Sequence, residues 1–396
     1  MIDFLQEAQA LFSYTQALRR DFHMHPELGF HELRTGGIVA RELEALGLEV
    51  TKGVGKTGVV ALLEGSKPGP TVLLRFDMDA LPIDEETGAE YASVTPGVMH
   101  ACGHDGHTAI GLAVAKLLHA HREDIVGALK FCFQPCEEGF GDEGVGGNEL
   151  MIRDHVLESP HVDRTLAVHL WNDKPVGWLG IAPGPIMAGA ELFSIKVTGR
   201  GGHGAAPHLT FDPIVAAAQL VGAIQTIASR NVAPLESAVV SVTTIHSGTA
   251  FNVIPQSAEL TGTIRSFDPA VRQKVLERFE LISKGIGEAM GCQVVVETQR
   301  VAPAVINDAT MAAQAQEAAR RILPGSDLET SGYFTMGAED MAFMQEKLPG
   351  CYMFVGSNNS DRHLDYAHHH PKFDFDEASL PRAAALVAAV AADLLR

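Results

Sequence analysis

The nine residues Thr71-Val-Leu-Leu-Arg-Phe-Asp-Met-Asp79 decide how this chain reads. A strand-like apolar run breaks off into two carboxylates, and the pattern recurs. Ala128 to Phe133 (ALKFCF) leads into Gln134-Pro-Cys-Glu137-Glu138, and Arg164 to Val168 (RTLAV) leads into His169. None of the three runs alternates cleanly, as expected of strands covered on both faces. Helical spacing lies between them, most clearly over Thr108 to His121. Strand, helix, strand with buried strands predicts an α/β domain with a mostly parallel central sheet. Ligands of such sheets bind outside the carboxyl ends of the strands, where these acids and the imidazole should meet.

From about Gly189 the pattern changes. Glu191 to Thr198 alternates, a helix follows from about Asp212 to Arg230, and strand-like runs span Ser237 to Ile245 and Ser257 to Ile264. A helix from about Pro269 to Met290 and a strand at Cys292 to Thr298 complete the series. Strand-helix-strand-strand-helix-strand is the order of a ferredoxin-like α+β domain. The chain therefore divides into a catalytic domain at 1–187 and 303–396 and an inserted domain at 188–302. Cys351 to Val355 reads as a further buried strand, and the Ala-rich Ala383 to Leu395 as a packed C-terminal helix.

Composition narrows the function. A chain of 396 residues exceeds what one core usually supports. Its formal charge of −19 argues against nucleic acid or an anionic membrane as partner, because phosphate binding needs clustered Lys and Arg. No run reaches the about 18 to 20 apolar residues that cross a bilayer, and the first twenty residues show no secretory pattern. Five cysteines, Cys102, Cys132, Cys136, Cys292 and Cys351, make no disulfide framework at this size, so a cytoplasmic location is expected.

The densest chemistry is His100-Ala-Cys-Gly-His-Asp-Gly-His107. Thiolate and imidazole are borderline-soft donors for zinc-like ions, and the glycine between Cys102 and His104 permits a tight turn. A buried cysteine beside helix-capping polar residues is the plain alternative. Glu137 and Glu138 repel one another unless a cation or a proton intervenes. One as ligand and the other as general base toward water would use the pair fully. His169 is a strand-end imidazole that joins them on this reading. Any one of His368, His369 and His370 could add another, and spacing does not choose. Gly199-Arg-Gly-Gly-His-Gly204 matches the dinucleotide fingerprint literally, but its helix begins only after Pro213. A tight loop presenting His203 is the alternative reading. Asn252 can donate a hydrogen bond, and Arg265 can clamp a carboxylate.

The segments RFDMDALPI (75–83), HACGHDGHTAIGLAVAKLL (100–118), FQPCEEG (133–139), GRGGHGAAPHLTFDPI (199–214), FNVIPQSAELTGTIRSF (251–267), MGAEDMAFM (336–344) and HHPKFDFDE (369–377) resemble the metal-dependent N-acyl-amino-acid amidohydrolases. That family holds hippurate hydrolases, bacterial aminoacylases and auxin-conjugate hydrolases, within the wider aminoacylase and carboxypeptidase superfamily. The matches run in family order along nearly the whole chain. The resemblance implies two divalent ions (zinc, manganese, cobalt or nickel) on Cys102, His104, Glu138, His169 and His369. It implies Glu137 as general base, Asp79 as a supporting acid and His203 as an oxyanion donor. Asn252 and Arg265 fall on substrate-binding positions, and Asp77 has no assigned role. It further implies a homodimer or homotetramer formed through the inserted lid domain. The expected activity is hydrolysis of the amide of an N-acyl amino acid. A metallo-dipeptidase or carboxypeptidase is the alternative, and a metal-binding protein without catalysis or a dinucleotide-dependent oxidoreductase lies further off. Cys136 stands where the family usually carries alanine.

Overall fold

Val72, Leu74 and Phe76 on one face of the first run and Thr71, Leu73 and Arg75 on the other are all buried. A strand sandwiched between layers needs apolar groups on both sides, which is why the run does not alternate. The computed structural model describes residues 2–396 apart from Asp142, Glu143 and Tyr333. The strands of the large sheet lie in the order Glu49–Val54, Gly58–Glu64, Val126–Gln134, Lys67–Asp77, Arg164–Pro175, Gly350–Asn358, Trp178–Gly180, Asp327–Glu329. The four from Val126–Gln134 to Gly350–Asn358 are mutually parallel. Helices His104–Ala120 and Ser379–Leu394 share the core of this sheet, with Ile110, Val114, Leu386 and Val390 fully buried.

One strand end and one helix start differ from expectation. The third run does not stop at Val168 but continues to Pro175, because the Gly350–Asn358 strand pairs alongside it. His169 therefore sits inside a strand opposite Phe354, 6% exposed. The helix expected from Thr108 starts at His104, since Gly103 takes φ +94° and turns the chain into it.

The chain separates into two compact units. The first comprises Met1–Gly184, Ile306–Tyr333 and Asp340–Arg396; the second comprises Pro185–Val305 and Phe334–Glu339. The segment 334–339 joins the second unit through Phe334, whose N–H donates to Ile186 O at 3.0 Å. In the second unit an antiparallel sheet runs Ala238–Ser247, Ser257–Ser266, Gly189–Thr198, Gln293–Ala302. That order, first strand between third and fourth, is the ferredoxin-like arrangement. Its helices Pro213–Arg230 and Pro269–Ala289 are capped by Asp212 and Asp268, and their Leu220, Ile224 and Phe279 share a buried cluster with Phe193 and Ile195 of the sheet. Among the described residues no helix is long and apolar enough to cross a membrane.

Candidate active site

The carboxyl ends of the parallel strands gather the predicted side chains of the first unit. Three groups made up wholly of the predicted ligand and base residues have all their donor atoms within 4.8 Å of one another: Cys102, His104 and His169; Cys102, Glu138 and His369; His104, Glu137 and Glu138. Cys102, His104 and Glu138 each belong to two groups, so these are one cluster.

His104 and His169 are each oriented through Nδ1. His104 Nδ1 lies 2.9 Å from Asp79 O and 3.1 Å from Asp79 Oδ1, while its Nε2 is buried without a hydrogen-bond partner among the described residues. His169 Nδ1 donates to Leu170 O at 2.6 Å, which leaves Nε2 facing Cys102 Sγ at 3.6 Å. Nδ1 pinned and Nε2 free is how ligating histidines are held. His369 Nε2 lies 2.9 Å from Glu138 Oε1, with the backbone at φ +65° and its N–H bonded to Ala101 O at 2.7 Å. Its neighbours turn elsewhere. His368 accepts from the Asn172 N–H at 3.1 Å and packs on Trp171 and Phe373, and His370 stacks on Tyr366. Of the three, His369 is the one whose ring nitrogen the conformation brings to Glu138.

The electrostatics suit a cation. Burial, then Glu138 and Glu137, pushes the Cys102 thiol well above its usual range. Burial works against the His104 imidazolium, yet Asp77 and Asp79 outweigh it and raise that pKa to about 10. Burial, then the rings of His107 and His368, holds His169 neutral. Carboxylates converging on a thiol and an orphaned buried imidazole nitrogen form the field a divalent ion fills, and the mixed S, N and O donors fit zinc-like metals.

Several supports were invisible in the sequence. Asp77 is fully buried between Arg75 (2.6 Å) and His107 Nδ1 (2.6 Å), and His107 Nε2 accepts the Leu170 N–H at 2.9 Å. Asp77 and His107 therefore fix the peptide that joins His169 to Leu170, one bond away from the Leu170 carbonyl that orients the His169 ring. Asp79 takes the Glu138 N–H on Oδ2 at 3.0 Å while facing His104 with Oδ1, so one carboxylate ties two cluster residues together. Asp105 caps nothing. It pairs with Arg19 and His23, both at 2.8 Å.

The second unit holds the other three predicted residues, in two places. Strand pairing sets Val253 opposite His203, and Asn252 O accepts the Gly204 N–H at 2.8 Å, so Asn252 and His203 are neighbours. Their loop continues into a short turn at Pro207–Leu209, and the helix starts at Pro213. No helix begins at the third glycine, as dinucleotide binding requires. Arg265 is half-buried beside Thr263 and pairs with Ala190. It lies at the opposite end of the Ser257–Ser266 strand, roughly 26 Å along at about 3.3 Å per residue.

Residues 73–393 match the profile of peptidase family M20/M25/M40. The chain is 38% identical over 385 residues to an N-acetylcysteine deacetylase of Bacillus subtilis, covering 96% of each. It is 41% identical over 362 residues to thermostable carboxypeptidase 1 of Saccharolobus solfataricus, covering 91% of this chain and 90% of that one. Its fold is similar to the crystal structure of a dinuclear metal-binding peptidase of the M20 family from Bacillus subtilis, with a TM-score of 0.84 and 36% identity over 98% of this chain and 99% of that one.

Proposed function

Because the chain belongs to peptidase family M20/M25/M40, we propose how its residues divide the work of metal-dependent amide hydrolysis. The observation that carries the reading is the shared cluster of Cys102, His104, Glu138, His169 and His369 with Glu137 beside it. These five residues would hold two divalent ions, zinc, manganese, cobalt or nickel. Such a pair supplies Lewis acidity and brings the pKa of water near neutrality. Glu137 takes the proton of the attacking water and returns it to the departing nitrogen. Asp79 holds the His104 ring with its lone pair toward the cluster. His203 donates to the oxyanion, and Asn252 and Arg265 hold the substrate carboxylate.

N-acyl amino acids are the proposed substrates. A deacetylase of an N-acetyl amino acid and a carboxypeptidase cut the same bond, the amide on the nitrogen of a residue with a free carboxylate. The relatives therefore support a site that reads that carboxylate, and peptidase activity is the second reading. Hydrolysis of hippurate, N-acetyl amino acids and simple dipeptides, each with the four metals, separates the two. Glu137→Gln is expected to lower kcat by at least about 100-fold, within the range of general-base catalysis, while keeping its metal. Full turnover in that variant refutes the assignment.

We also propose a homodimer. His203 and Asn252 belong to a small two-stranded sheet beyond the Ser257 end of the Ser257–Ser266 strand, and Arg265 lies near the other end of that strand, too far away to meet one substrate from a single copy. A second copy supplying one of the two sets resolves this. Mixing inactive His203→Ala and Arg265→Ala proteins should then restore part of the activity, and no recovery in mixed dimers counts against it. Five free, buried cysteines support a reducing cytoplasm.

A further inference from the structure

Glu137 stands between two pinned peptides. On its C-terminal side the Glu138 N–H donates to Asp79. On its N-terminal side the Cys136 N–H donates to Glu32 Oε1 at 2.9 Å, and the other oxygen of Glu32 accepts the Thr57 hydroxyl at 2.5 Å. Glu32 is fully buried. It immediately precedes the helix Leu33–Ala45 yet makes no capping bond; that work falls to Glu27, which accepts the N–H groups of Arg34 and Thr35. The Glu32 carboxylate is therefore spent on Cys136 and Thr57.

The peptide it holds is an unusual one. Cys136 has φ +45°, a left-handed conformation that a residue with a Cβ keeps only when its surroundings impose it. Glu32 grips its N–H, Gly147 donates to its carbonyl at 2.9 Å, and Gly29 packs so close that a Cβ there would lie 2.7 Å from Cys136 Sγ. Burial, then the charge of Asp79, pushes Glu32 up to about 7. A carboxylate is unfavourable in this place unless its hydrogen bonds offset the desolvation.

We propose that Glu32 is a positioning residue for Glu137, fixing through the Cys136 amide the backbone from which the Glu137 carboxylate reaches the attacking water. The inference rests on Glu137 being the general base. Two buried acids, Glu32 and Asp79, thereby set the base from either side, and only Asp79 also touches a cluster imidazole. Loss of Glu32 should disturb proton transfer and leave the metal in place.

The test compares Glu32→Ala, Glu32→Asp and Glu32→Gln as metal-loaded enzymes on the best N-acyl amino acid. Alanine removes the acceptor and aspartate withdraws it by one methylene. Both are expected to lower kcat at least about 10-fold, as small misplacements of reacting groups do, with KM within twofold and metal content unchanged. Glutamine keeps an acceptor for the Cys136 N–H and should recover kcat to within about threefold of the parent. Thr57→Val preserves volume, loosens the same carboxylate and should lower kcat about threefold with KM unchanged; it decides the matter if the alanine and aspartate forms do not fold. Parental kcat in Glu32→Ala or Glu32→Asp, or in Thr57→Val where neither of those folds, or a loss explained by missing metal, overturns the proposal. Glu137→Gln assayed alongside keeps the premise separate: an active Glu137→Gln enzyme removes the base itself, whereas an inactive one beside a fully active Glu32→Ala enzyme removes only the role of Glu32.

Discussion

Replacing Arg19 with Met should destabilise the first unit by about 4 kcal/mol, the middle of the range for breaking one side of a buried ion pair. Arg19 has no exposed surface, and its guanidinium bonds Asp105 (2.8 Å), Asp374 (2.6 Å) and Glu377 (3.3 Å) while lying over the rings of Phe375 and Tyr91. Methionine keeps much of the packing but leaves three acids facing one another. Burial alone would raise Asp105; Arg19 first and His23 next hold it far below the carboxylate range. Without Arg19 these acids take up protons more readily, so the deficit must be largest near pH 8 and shrink toward pH 5. At roughly 2 °C per kcal/mol for a unit of this size, the expected fall in Tm at pH 8 is about 8 °C. Both tryptophans, Trp171 and Trp178, belong to the first unit, so their fluorescence follows this transition alone. A fall under about 2 °C, or a deficit that does not narrow with acid, refutes the reasoning.

Two further outcomes follow from the same packing. Burial and then Arg19 push His23 down, but Asp105 and Glu85 outweigh them and raise it to about 9. A raised histidine stabilises fully below its unfolded pKa of about 6.5, and that contribution fades as pH rises through about 9. Urea titrations of the parent should therefore lose up to about 3 kcal/mol between pH 6.5 and 9.5, and His23→Gln should flatten this slope; an unchanged slope in the variant excludes His23 as its source. His107→Ala frees the Leu170 peptide and is expected to weaken metal binding about 10- to 100-fold, as loss of a ligand's support does. Chelator competition measures it, and parental affinity would contradict the role given to His107.

The parallel core was legible because strands buried on both faces cannot hide their composition: runs 71–76, 128–133 and 351–355 carry apolar residues at successive positions where a one-sided strand would alternate. Cys102, His104 and the glutamate pair were legible because ligand-type residues crowd short stretches at strand and helix ends. What stayed hidden depends on contacts across long separations. Arg19 meets Glu377 across 358 positions and Glu32 meets Cys136 across 104, and in each case a charged residue in a helical pattern reads locally as a solvated face. Asp77 and His107 escaped for a related reason. Both look like ligands by type, and only the structure shows Asp77 bonded to His107 and His107 to the Leu170 N–H.

The sheet order also bears on synthesis. The strand Gly350–Asn358 enters between Arg164–Pro175 and Trp178–Gly180, so the large sheet cannot close until that strand has left the ribosome. The second unit, with its own core and antiparallel sheet, emerges in between, and its first and last strands bring Ala190 opposite Ala302. To the unfinished host this long excursion is little more than a turn, because ends already held together add almost no closure entropy. The later-made ferredoxin-like unit can thus be complete while the earlier-made half of the first unit still waits for an interior strand of its sheet.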